Sequence, residues 1–167
     1  FASENTIVCS YTRNGRDYLA ILETDTGTLR QIETPFTGIA QIHCTGDRVI
    51  FIGASPTSSS SIVLWNLRAH QWQVLRQSRI GEVDASYISE PQPIEFPTEN
   101  GLTAYGYFYR PNHPDYTSPR NEKPPLVVIS HGGPTSSSSA SLKYSIQYWT
   151  SRGIAVLDDN YGGSSGY

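Results

Sequence analysis

The sequence predicts two architectures in one chain: blade-like antiparallel β-sheet up to about Ser86, then an open α/β arrangement around a parallel sheet. Three observations carry this. Apolar residues of the first half recur 43 positions apart. Eight of the eleven prolines crowd between Pro91 and Pro125, marking a change of grammar. Beyond them the pattern reads strand, glycine turn, helix, glycine, strand.

In the first half, "YLAILE" (Tyr18 to Glu23) runs through the turn "TDTGT", with Asp25 and Gly27, into "LRQIET". Further along, "RVIFIGA" passes a serine loop to "IVLWNL", and "RAHQ" leads to "WQVLRQ". Both stretches match hairpins, short β-rich runs bounded by turn residues. Leu19 and Ile62, Ile21 and Leu64, Leu29 and Trp72, Ile32 and Leu75 share the 43-residue spacing, the length of a four-stranded propeller blade. A sandwich meander is the competing arrangement. Residues 1–86 are therefore expected to form about two blades, and residues 87–167 a second unit.

Proline breaks helices and central strands alike, so the segment after Tyr87 is expected to be linker plus edge strands. Within it, "GLTAYGYFYRP" alternates as a surface strand does. "LVVIS" is too short and too β-branched for a helix and reads as a strand buried on both faces. Leu142, Ile146 and Trp149 follow at helical spacing, with Ser138 or Ser139 as candidate N-cap and Gly153 as C-cap glycine. "IAVLD" is a second buried strand, which completes a βαβ unit with a right-handed crossover. "PTSSSS" occurs at Pro56 and again at Pro134; each copy sits where the pattern needs a connection, the first between two strands and the second ahead of the helix.

Composition excludes several classes. Hydrophobic residues make up 37% and charged residues 16%, a globular rather than disordered balance. A net charge of −3 is no footprint for nucleic acid or an anionic membrane. No apolar run approaches the roughly 20 residues of a membrane-spanning helix. Cys9 and Cys44 lack metal-like spacing and read as free thiols of a reducing compartment, so a cytoplasmic location is expected, with no cofactor and no metal. The chain begins at Phe1, has no methionine and stops in "NYGGSSGY", so it reads as an internal piece of a longer protein.

The chemistry is expected at His131-Gly132-Gly133-Pro134. Acyl transfer places negative charge on a carbonyl oxygen, which preorganised backbone N–H groups can meet. Glycines at the end of a buried strand leave such amides bare at the sheet's carboxyl edge, where ligands of open α/β sheets bind. A tight turn using the same glycines for positive φ is the plainer alternative. In α/β-hydrolases an HGG-type loop supplies one oxyanion donor, and the residue after the nucleophile another.

On these residues the stretch "PPLVVISHGGPTSSSSASLKYSIQYWTSRGIAVLDDNYGGSSGY" resembles the start of the catalytic domain of the prolyl oligopeptidase family of serine peptidases. Its acylaminoacyl-peptidase and dipeptidyl-aminopeptidase-like members are the most similar. The upstream "PIEFPTENGLTAYGYFYRP" resembles the strands that open that domain, so the likeness covers Pro91 to Tyr167. The family carries a β-propeller ahead of its α/β-hydrolase domain, which gives the 43-residue repeat a meaning. The resemblance implies a peptidase acting on short peptides, in concert with the rest of the same polypeptide. It also implies that Gly133 donates the oxyanion N–H and Gly132 shapes the loop. His131 stands where other branches place a tyrosine whose hydroxyl serves the same hole. Gly162 replaces an arginine found in many relatives, so any contact from that guanidinium is missing.

Gly162 to Gly166 formally matches the G-x-S-x-G nucleophile elbow, but only three residues follow Ser164 and an elbow needs a helix there. The triad order is serine, acid, histidine, and His43, His70, His113 and His131 all precede Ser164. Asp158 and Asp159 read as strand-end residues facing solvent or a loop. No nucleophile is therefore assigned in this chain, and it is expected to be inactive by itself. An esterase or lipase of the same fold, and a propeller-type binding module with a degenerate hydrolase remnant, are the alternatives.

Overall fold

The computed structural model describes residues 1–79, 83–119, 121–133 and 135–167. It is mostly β-sheet, arranged as three sheets, and the first two are consistent with propeller-like blades. Strands β1 (Thr6–Arg13), β2 (Arg16–Glu23) and β3 (Thr28–Ile32) form an antiparallel meander. Strands β4 (Gly38–Thr45), β5 (Arg48–Ala54), β6 (Ser61–Asn66) and β7 (Gln71–Gln77) form a second, in chain order. Both expected hairpins are present, and the first "PTSSSS" copy joins β5 to β6. Strands β1 and β4 lie outside the hairpins expected from the sequence. Their hairpin signal was there, since β1 turns into β2 through Asn14-Gly15, both at positive φ (51° and 69°). Asn-Gly suits the mirror-image turn that matches the twist of paired strands.

The two sheets share one core. Leu19 and Ile21 of the first pack with Val49, Phe51, Val63 and Trp65 of the second, and Phe36 from the connection closes it. Asp17 ties the sheets together, its carboxylate accepting from the Ile39 N–H at 2.9 Å while its own N–H donates to the Thr37 carbonyl at 3.0 Å. The repeat needs a correction at residue level. Leu19 is fully buried whereas Ile62, 43 positions on, is 45% exposed. Side chains alternate faces along a strand with period two, and in β6 it is Val63 and Trp65, flanking Leu64, that join Leu19 and Ile21 in the core.

The third sheet has the order β10-β11-β9-β8, built from β8 (Gln92–Pro97), β9 (Thr103–Tyr109), β10 (Leu126–Ser130) and β11 (Ala155–Asn160). Strands β10 and β11 are parallel and joined through helix α1 (Tyr144–Thr150), while β11–β9 and β9–β8 are antiparallel. Pro93 and Pro97 lie on the edge strand β8, where a missing N–H breaks no ladder. Strand β9, expected at the surface, is instead interior, with Ala104, Tyr107 and Tyr109 buried.

Three further expectations change. Helix α1 begins at Tyr144, with no side-chain cap, because Ser138 is bonded to the sheet instead. Leu142 therefore precedes the helix, Ile146 is buried and Trp149 stays partly exposed. Gly153 ends the helix as expected: at φ +82° its N–H reaches the Thr150 carbonyl and the Ile154 N–H the Trp149 carbonyl, a Schellman closure. Strand β10 is covered on one face only. Val127 and Ile129 pack toward Tyr107, Tyr109, Ile146 and Val156, but Leu126 and Val128 are more than half exposed. One crossover helix shields one face of a sheet, and among the described residues nothing shields the other. No helix among these residues is long and apolar enough to cross a membrane.

Candidate active site

Parallel pairing decides what meets at the carboxyl edge of the sheet. Ser130 is registered with Asp159, so the chain leaves β10 at His131 beside the point where it leaves β11 at Tyr161. His131, Gly132 and Gly133, the residues expected from the sequence, are joined here by Tyr161 and Ser164 from the other loop. Pro134 lies outside the described residues.

Gly133 adopts φ +77°, a left-handed conformation that favours glycine. Gly132 has no such need. A Cβ built at either glycine meets none of the described residues within 4 Å. His131 stacks on Tyr161, ring centroids 4.5 Å apart at 23°. Its Nε2 lies 2.7 Å from Ser164 Oγ, and Ser164 Oγ lies 2.7 Å from the Tyr161 carbonyl. A carbonyl only accepts, so the serine hydroxyl donates to it and His131 Nε2–H donates to the serine oxygen. Ser164 is buried, its proton is committed to a backbone carbonyl, and the residues around it form turns. This is not the exposed serine of a nucleophile elbow, despite the histidine beside it.

Asp158 corrects the sequence reading. It is buried within β11, where Oδ1 accepts from Ser138 Oγ at 2.6 Å and Oδ2 pairs with Lys143 Nζ. Asn160, two residues on and on the same face, accepts from the Ser138 N–H at 2.7 Å and donates to its carbonyl at 3.3 Å. The polar face of β11 thereby fixes the serine loop that follows the glycines. Alternation along "AVLDDN" held this signal, because Val156, Asp158 and Asn160 share a face with period two. No cluster suited to a metal ion occurs among the described residues.

No family model and no curated protein sequence matches the chain. Solved structures do. The crystal structure of a puromycin hydrolase is 35% identical and superposes with a TM-score of 0.86 over 96% of this chain. A puromycin-hydrolyzing peptidase of Mycobacterium tuberculosis is 34% identical, with a TM-score of 0.87 over 92% of this chain. The Pyrococcus horikoshii acylaminoacyl peptidase shares the fold at 21% identity, with a TM-score of 0.70. This chain spans 24% of the length of each of these. The first of these matches takes in 96% of this chain, from the blade-type sheets through the glycine loop and the crossover helix. These neighbours are serine peptidases of the prolyl oligopeptidase family, and the chain is similar to about a quarter of their length.

Proposed function

We propose that the chain is a segment of a serine-type peptidase that hydrolyses short peptides. Residues 1–86 supply about two propeller blades that restrict access, and residues 87–167 open an α/β-hydrolase domain. In this reading the Gly133 N–H is one donor of the oxyanion hole and Gly132 leaves the approach clear. His131 contributes its backbone and a strut rather than a direct contact, because its Nε2–H is already bonded to Ser164. The serine, aspartate and histidine of the triad come from other parts of the polypeptide.

The observation that carries this reading is Gly132. Its φ is not left-handed and a Cβ there would touch none of the described residues, so among these neither strain nor packing accounts for a glycine. Space kept free for something that approaches from outside does. Similarity to a puromycin hydrolase and a puromycin-hydrolyzing peptidase supports acyl transfer as the chemistry.

The test uses the complete peptidase that carries this segment. Gly132→Val adds bulk to the open side without backbone conflict, and a marked fall in kcat/KM at unchanged Tm is expected. Gly133→Pro deletes the N–H, and one lost oxyanion donor costs on the order of a hundredfold to a thousandfold in kcat. Proline cannot adopt φ +77°, so its Tm is read alongside. Full activity in both variants overturns the reading.

A further inference from the structure

We infer that Tyr161, backed by Ser164, is a positioning residue for the oxyanion loop; the inference rests on the peptidase reading above. Tyr161 is the first residue after β11, and its hydroxyl lies 2.8 Å from the Gly133 carbonyl and 3.2 Å from the His131 carbonyl. The single phenolic proton goes to the nearer acceptor, Gly133, and the ring carries the stacked imidazole. The two carbonyls flank the peptide unit that holds the Gly133 N–H. The hydroxyl's bond holds the Gly133 side of that unit and the ring stack holds the His131 side, a frame that two consecutive glycines could not fix alone.

The remaining contacts lock the same two loops together. His131 Nε2–H donates to Ser164 Oγ at 2.7 Å, and Ser164 Oγ–H donates to the Tyr161 carbonyl at 2.7 Å. The tyrosine is thus held through its own backbone by the histidine it supports. Past the glycines, the Ser165 N–H donates to the Ser136 carbonyl and Ser165 Oγ to the Thr135 carbonyl, both at 2.9 Å. Every one of these bonds joins the loop after β10 to the loop after β11 or closes the latter on itself. A donor aimed at a charge that forms only in the transition state is effective when it needs no reorganisation. This clamp supplies that rigidity through a residue that does not itself touch the substrate.

The experiment is kinetic, again in the complete enzyme. Tyr161→Phe keeps the ring stack and removes the hydroxyl. Loss of one hydrogen bond to the loop is expected to lower kcat about tenfold with KM nearly unchanged. Affinity for a peptide aldehyde, whose adduct carries the oxyanion, falls by the same factor, and that of a non-reacting product peptide does not. Ser164→Ala is expected to shift the same two quantities in the same direction by less. If Gly133→Pro abolishes turnover while Tyr161→Phe leaves kcat and aldehyde affinity intact, the clamp is overturned and the peptidase reading stands. A fall in kcat matched by equal loss of product-peptide affinity and of Tm assigns Tyr161 a merely structural role and also overturns it. If neither the glycine nor the tyrosine variants affect turnover, both ideas fail.

Discussion

Lys143 and Asp158 form an ion pair beneath the serine loop, with the aspartate side chain only 3% exposed and the lysine 35% exposed. Asp158 also accepts from Ser138 Oγ, so one buried carboxylate holds both the start of α1 and the loop before it. Removing one partner of a buried pair leaves an uncompensated charge, which costs about 3–5 kcal/mol when burial is complete. Lys143 is partly solvated, so Lys143→Met is expected to cost about 2 kcal/mol. Asp158→Asn keeps the shape and frees the more exposed partner, so it should cost less. Denaturant midpoints of the two variants in the complete protein check the order, and equal midpoints to wild type would remove the pair from the account.

Tyr109 is buried and its hydroxyl has no hydrogen-bond partner among the described residues. A buried donor left unmade is a cost that phenylalanine does not carry. Tyr109→Phe is therefore expected to be neutral or stabilising by about 1 kcal/mol, against the usual trend for core substitutions. A loss of more than that on thermal unfolding would mean the hydroxyl does find a partner.

Alkaline pH should weaken this region. Burial pushes the hydroxyls of Tyr107 and Tyr109 well above the ordinary tyrosine value, helped by neighbouring Tyr167 and by the Asp158 charge respectively. The folded state then holds these protons more tightly than the unfolded chain does. Their contribution is fully present below about pH 10 and is lost as pH rises above it toward the folded values. Tm measured from pH 8 to 11.5 is expected to fall at the alkaline end, less steeply in Tyr109→Phe. An identical slope in the variant would contradict the assignment.

The Asn14-Gly15 turn is where the first sheet meets the C-terminal loop. The Tyr107 hydroxyl donates to the Asn14 carbonyl at 3.1 Å, and the Asn14 N–H to the Gly166 carbonyl at 2.9 Å. A Cβ on Gly15 would lie 2.5 Å from Tyr167 Oη and 2.8 Å from Tyr107 Oη, at φ +69°. Gly27, at φ +66° with nothing within 4 Å, is the matched control for strain alone. Gly27→Ala is expected to cost about 1 kcal/mol and Gly15→Ala at least about 2 kcal/mol. Equal costs would show that the tyrosines yield freely.

Expressed alone, the chain should associate through its bare faces. Leu126 and Val128 lie on the uncovered face and edge strand of the third sheet, and Trp72, Val74 and Leu75 on the outermost strand of the second. Exposed edges and apolar patches of this kind template aggregation. Replacing Leu126 and Val128 by lysine is expected to raise the monomer fraction in size-exclusion chromatography. A sharp thermal transition from a monodisperse wild-type chain would refute the premise.

Local signals in the sequence determined a good deal. Hairpins around Asp25-Gly27 and "RAHQ", the strand before the glycines, the closing role of Gly153 and the parallel β10–β11 pair all rest on spacing and turn chemistry, which act over a few residues. The phase of the blade repeat was beyond that reach, because a one-residue slip leaves the apolar count unchanged and inverts the buried face. Only the tertiary structure decided that Ser138 serves β11 rather than α1, that Asp158 is buried and paired, and that Tyr161 and Ser164 meet His131. Those partners lie 15 to 33 residues apart. Parallel pairing, not local sequence, brings both loops to one edge of the sheet.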